Sequence, residues 1–137
     1  MAQPVIISEF LASNQSGLTD EDGDLSDWIE LYNVGNEPAS LSGWYLTDDA
    51  EDLSKWTFPE TVLPGQSTLI VFASGKDRSV AGSEFHTNFR LNRDGDYLGL
   101  IKPDGIDHSF IYRGQKGTGL NRVAGLRHIG SGRCVFR

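Results

Sequence analysis

Five acids in eight residues, Asp20-Glu21-Asp22-Gly23-Asp24-Leu25-Ser26-Asp27, are the densest grouping of potentially reactive side chains in the chain. Carboxylates spaced by two around a glycine turn can converge on Ca²⁺, a hard cation that gathers about six to eight oxygens. Asp20, Asp22, Asp24 and Asp27 are the candidate ligands. The stretch is not an EF-hand loop: with Asp20 as first ligand, Leu25 stands where that loop needs glycine, and Leu31 where it needs a bidentate glutamate. A solvated acidic turn between two strands is the competing reading. A second acidic loop, Asp48-Asp49-Ala50-Glu51-Asp52, would strengthen a cation site if the fold brought the two together; by itself it reads as a soluble loop.

Catalysis has little to work with. His86, His108 and His128 are accompanied by no G-x-S-x-G, H-E-x-x-H or nucleophile-base spacing, and His86 reads as a polar residue at a strand edge. Glu9 and Glu30 would serve as acid and base only if the fold paired them, and paired acids in a sandwich more often just hydrogen-bond. Cys134 is the single cysteine, which excludes an intramolecular disulfide and a multi-cysteine metal site. Neither Gly95-Asp96 nor the C-terminal glycines compose a phosphate loop. The expectation is a non-enzyme that requires no cofactor, with Ca²⁺ as the one candidate ion. Trp28, Tyr32 and Tyr45 are the candidate binding surface, because alternation sets each opposite the core residues of its strand. Exposed rings there can stack on a sugar or anchor a protein partner; the alternative is that they pack under loops or a neighbouring sheet.

Something must position these groups. At 137 residues the chain has room for one domain, and its three Trp, four Tyr and seven Phe supply a core that needs no cofactor to fold. The net charge of −7 argues against a general nucleic-acid binder. Its distribution is uneven: all 19 acids and six Lys/Arg lie up to Asp107, while Arg113, Lys116, Arg122, Arg127, Arg133 and Arg137 follow without an acid. This basic end lacks interleaved aromatics, so a solvated tail is expected rather than a nucleic-acid strap. No apolar run reaches the roughly 18 residues of a membrane span. Met1-Ala2-Gln3-Pro4 leads straight into a strand; an Ala-Gln start is what leader cleavage often leaves, so export is the expectation.

Short β-prone runs separated by turn residues predict an all-β, antiparallel sandwich of about eight strands. Val5 to Leu11 opens it. In Asp27 to Asn33 (DWIELYN), Ile29 and Leu31 take the core face. Ser40 to Asp48 follows, where Leu41 and Trp44 have opposite parity yet both look buried, and Gly43 is the expected bulge between them. Trp56-Thr57-Phe58 must end at Pro59, and Pro64-Gly65 turns the chain into Ser67 to Ser74. There the continuous run Leu69 to Ala73 predicts the most buried strand. Phe89 and Leu91 belong to the next run. Asp94-Gly95 predicts a hairpin turn into Tyr97 to Ile101, and Pro103-Asp104-Gly105 a turn into about Asp107 to Tyr112. Beyond Tyr112 no period survives. The expected organisation is a sandwich over 1–112 and a basic, Gly-rich, loosely packed or disordered tail over 113–137.

The ordered pieces Trp28 to Asn33 (WIELYN), Leu41 to Leu46 (L-x-G-W-x-L), Trp56 to Pro59, Leu63 to Gly65 and Leu69 to Gly75 (closing on A-S-G) are similar to the lamin tail domain. The resemblance covers about residues 5 to 111. It implies an immunoglobulin-like β-sandwich. With Ile7 to Asn14 (I-x-E-F-x-A-S-N) and Asp20 to Asp24 (D-E-D-G-D), the chain resembles the bacterial branch, whose members sit in large exported or surface proteins beside hydrolase or adhesion modules. The implied function is a non-catalytic binding or scaffold module with a protein or carbohydrate surface as partner, extracellular or at the cell surface, and with neighbouring domains in a longer chain. A Ca²⁺-dependent carbohydrate-binding module is the alternative. A nuclear filament tail binding chromatin or envelope partners is a third reading, weakened because no rod heptads occur here.

Overall fold

Runs rich in Val, Ile, Phe, Tyr and Trp, each cut short by Gly, Pro or Asp, fold as strands in the computed structural model, which describes residues 5–12, 18–91, 97–113, 120–122, 126–129 and 133–136. In chain order the strands are β1 (Val5–Leu11), β2 (Asp27–Asn33), β3 (Ala39–Ser40), β4 (Tyr45–Thr47), β5 (Trp56–Thr57), β6 (Val62–Leu63), β7 (Thr68–Ala73), β8 (Phe85–His86), β9 (Tyr97–Ile101), β10 (His108–Arg113), β11 (Leu120–Arg122), β12 (Leu126–Ile129) and β13 (Arg133–Phe136). No helix occurs among the described residues. The count exceeds the expected eight mainly because several strands are only two or three residues long.

One sheet has the order β11-β1-β2-β7-β8, the other β10-β9-β4-β5; β3-β6 and β12-β13 form separate pairs. All pairings are antiparallel except β7 with β8. The two larger sheets share a core. Ile7, Phe10, Ile29, Leu31 and Val71 from the first meet Leu46, Trp56, Leu98 and Leu100 of the second in one continuous cluster with Trp44 and Phe58. Each such side chain removed from water contributes about 1.5–3 kcal/mol before chain entropy is set against it. Trp56, Phe58 and Phe85 form a ring cluster, with Trp56 edge-on to Phe58 at 5.0 Å.

Ile29 and Leu31 are fully buried, as their alternation requires. Leu41 and Trp44 are buried as well, but by another device than the expected bulge. Trp44 N–H donates to Leu41 O at 2.9 Å, closing a turn in which Gly43 takes φ 80°, so the run splits into β3 and β4. The bulge lies instead in β1, between Ile7 and Glu9, which lets both Ile7 and Phe10 face the core. The most buried strand is β9, buried at all five residues, whereas the first half of β7 is half-exposed because β8 pairs only with Val71 and Phe72. Phe89 and Leu91 are buried outside any strand. The Asp94-Gly95 turn lies outside the described residues. The Pro103-Asp104-Gly105 turn is present, with Gly105 N–H donating to Lys102 O at 2.9 Å.

Past Arg113, where the sequence pattern predicts no element, three short strands are described. In register, β11 sets Arg122 opposite Glu9 and Leu120 opposite Leu11, and β12 pairs with β13. A strand edge offers unpaired backbone donors and acceptors that any extended segment can satisfy, so no side-chain period is needed there.

Candidate functional site

The loop from β1 to β2 folds around one carboxylate. Asp20 N–H donates to Asp24 O and Gly23 N–H to Asp20 O, both at 2.9 Å, with Gly23 at φ 81°. The Asp20 side chain has no exposed surface. Its Oδ1 accepts the backbone N–H groups of Asp22 and Asp24 at 3.0 Å each, and its Oδ2 accepts the Ser26 hydroxyl at 2.7 Å and the Lys76 ammonium at 2.7 Å. Lys76 Nζ also lies 2.8 Å from Asp22 Oδ2 and 2.8 Å from Asp24 Oδ2. An ammonium has three donors, and each meets a different carboxylate.

Burial alone would raise the Asp20 pKa, but the bonds from Lys76, Ser26 and the two amides outweigh it and hold the carboxyl well below its ordinary 3.8. The same three carboxylates, Asp20 foremost, raise Lys76 above its ordinary value.

Lys76 reaches the loop from the end of β7. Gly75 takes φ 77°, and Ser74 Oγ accepts the Lys76 amide at 3.1 Å. Two residues on, Arg78 donates to Asp22 Oδ2 at 2.8 Å and stands 3.4 Å from Glu21 Oε2. Arg78 in turn exchanges backbone bonds with His86 at 2.8 and 2.9 Å. His86 is fully buried and stacks on Phe72 at 5.5 Å. Its Nδ1 is 2.8 Å from Ser74 Oγ and its Nε2 3.0 Å from Glu84 Oε1, which also accepts the Glu21 amide at 2.7 Å. A cavity of 460 Å³ opens beside this network, lined by Asp24, Ser26, Asp27, Ser74, Lys76 and Arg90 among others.

Of the four proposed cation ligands, Asp20, Asp22 and Asp24 converge. Asp27 does not join them: it opens β2 opposite Ala73 and faces the cavity. The second acidic loop has its own counter-ion, Lys55, 2.8 Å from Asp48 Oδ1. The aromatic candidates are divided between sheets, Trp28 and Tyr32 on β2 and Tyr45 on β4. Tyr32 is buried rather than exposed: its hydroxyl donates to Gln66 Oε1 at 3.1 Å and Ile6 is its cross-strand neighbour. Trp28 and Tyr45 are half-buried, and the Trp28 indole N–H is itself enclosed. Glu9 and Glu30 are cross-strand partners, with Ser8 Oγ donating to Glu30 Oε1 at 2.7 Å. His108 is exposed on β10, while the side chains of His128 and Cys134 lie outside the described residues.

Lys76, Arg78, Ser74 and Glu84 escape a reading by motif, and His86, although on the edge strand β8, is fully buried. One signal was available: no Lys or Arg precedes Lys55, so the acids at 20–27 must find their counter-charges downstream. Lys76 and Arg78 directly follow the A-S-G end of the apolar strand.

Two stacked, largely antiparallel sheets with a polar network locked at the loops of one end define an immunoglobulin-like β-sandwich domain. The family model described as Lamin Tail Domain matches residues 2–115, and the chain belongs to that family. No curated protein matches the sequence. Among the described residues, no helix is long and apolar enough to cross a membrane.

Proposed function

We propose that this chain is a non-catalytic interaction or scaffold module of a larger exported or cell-surface bacterial protein, docking a polypeptide surface on the sandwich end that carries the acidic loop. The observation that carries this reading is Lys76 clamped by Asp20, Asp22 and Asp24, with the latter two side chains 41% and 64% exposed. Polar groups already fixed by internal bonds lose little freedom on meeting a partner, and a patterned charged surface sets register and partner choice. In this reading the ammonium serves where Ca²⁺ would otherwise sit, and the loop needs no metal to close.

Ser74, His86 and Glu84 have the connectivity of a nucleophile, base and acid. Their environment supports a positioning role instead. The Ser74 hydroxyl accepts the Lys76 amide, Ser74 is only 6% exposed, and the imidazole is enclosed, so the trio ties the turn that aims Lys76.

A photo-crosslinker at Asp24 in the intact parent protein should capture a defined polypeptide, whether a neighbouring domain or a separate protein; the same probe at exposed Glu51 should not. Capture at both positions or at neither would count against the docking end. Labelling of Ser74 by a fluorophosphonate would count against the absence of catalysis.

A further inference from the structure

We propose that His86, Glu84 and Glu21 form a binding site for one transition-metal dication of the Zn²⁺ class. This goes beyond the docking reading and does not depend on it. The three residues come from two places, Glu21 from the β1–β2 loop, and Glu84 and His86 from the residue just before β8 and from β8 itself. Their ligand atoms lie within 4.8 Å of one another. His86 Nε2 is 3.0 Å from Glu84 Oε1 and 3.7 Å from Glu21 Oε1. Donors about 2.0–2.1 Å from an ion at tetrahedral angles stand about 3.3 Å apart, so the observed spacings bracket what Zn²⁺ requires.

The surroundings of the donors make the case stronger than a cluster of acids would. Metal-binding imidazoles keep their second nitrogen bonded to an orienting group, and His86 Nδ1 is held by Ser74 Oγ at 2.8 Å. Glu21 divides its two oxygens, Oε2 facing Arg78 and Oε1 facing the imidazole. Glu84 is fixed by the Glu21 amide. Arg78 thus orients one ligand and offsets part of the negative charge without occupying the centre.

In the tautomer that carries its proton on Nε2, that N–H donates to Glu84 and Nδ1 accepts the Ser74 hydroxyl. With metal, the proton resides on Nδ1 and donates to Ser74 Oγ, freeing the Nε2 lone pair. A hydroxyl can fill both roles, so the exchange needs no rearrangement of the fold. The Glu21 and Glu84 side chains, 45% and 30% exposed, leave an entry from solvent and room for water in the fourth position. One nitrogen and two oxygens in this spacing suit Zn²⁺ or Co²⁺ and not Ca²⁺, which requires about six or more oxygens.

Calorimetric titration of the full chain, free of any histidine tag, with ZnCl₂ should give one site per chain, and Co²⁺ should show the visible absorption of a four-coordinate ion. Glu84→Gln and Glu21→Gln, both at partly exposed side chains, should each weaken Zn²⁺ binding about tenfold or more. Asp24→Asn, in the neighbouring trio, should leave it within about twofold. Three results would overturn the site: no heat at about 100 µM Zn²⁺, binding indifferent to Glu84→Gln, or a loss in Asp24→Asn as large as in Glu84→Gln. The last would mean that the ion displaces Lys76 instead.

Discussion

Replacing Asp20 by Asn preserves the shape of the side chain and removes the charge on which the acidic loop is built. Oδ1 keeps its two backbone amides, but the amide nitrogen that takes the place of Oδ2 faces the Lys76 ammonium as donor to donor, and the Ser26 hydroxyl loses a carboxylate acceptor. Hydrogen bonds to a charged group contribute about 1.5–3 kcal/mol each. Two are lost, while Lys76 keeps Asp22 and Asp24, so the expected cost is about 2–4 kcal/mol, or roughly 6–15 °C in Tm for a domain of this size. Urea unfolding at neutral pH measures it. In a Lys76→Met background more than half of that cost should vanish, because the donor facing the new amide is gone. The acid limb carries the same information. The folded-state pKa of Asp20 is depressed below the ordinary 3.8, so its stabilisation is complete above about pH 4 and is lost as pH falls through the lowered value. Asp20→Asn should therefore flatten the loss of stability below about pH 4. A variant within about 0.5 kcal/mol of the parent, or an equal cost with and without Lys76, would refute the reasoning.

Three further outcomes are expected in the same unfolding assay. A Cβ at Gly65 would lie 2.3 Å from the backbone oxygen of Asn36, an atom that cannot swing aside, so Gly65→Ala should cost about 1–3 kcal/mol or more. Buried Asn33 donates to Glu37 O and Leu63 O and accepts the Gly35 amide; Asn33→Leu strands all three backbone groups and should cost about 2–4 kcal/mol. Ser74→Ala removes the acceptor of the Lys76 amide and the partner of His86 Nδ1, and should cost about 1–3 kcal/mol; a variant as stable as the parent would contradict the positioning role.

The strands were legible where a period of two carries them. Ile29 and Leu31 on β2 follow from alternation, because burying one face of a strand forces that pattern, whereas β9, buried on both faces, was placed by the turn signal before it. Gly43 misled for a physical reason: a glycine between residues of opposite parity is equally compatible with a bulge and a turn, and only the Trp44 to Leu41 bond decides. Tyr32 misled because the outer face of a strand need not face water. The acidic loop was legible as a place where carboxylates converge, but its counter-charge was not. Lys76 comes from more than fifty positions downstream, and no local spacing rule links an ammonium to a distant carboxylate. His86 was legible as a residue of an edge strand but not as a buried one, because its cover comes from Phe72 and Ser74 on and beside β7.

The place of β1 has a temporal consequence. Its two edges are taken by β2, its successor in the chain, and by β11, more than a hundred positions on, and Ser109 Oγ donates to Val5 O across 104 positions. During synthesis β1 can form its hairpin with β2 early, yet its other flank stays open until β11, more than a hundred positions later, has left the ribosome. Contacts of such high order slow the final step of folding, and an uncovered edge is where nascent chains stick to one another. A chain halted shortly before β10 should thus hold a partial sheet prone to self-association, and the closing strand should double as the cap that ends that exposure.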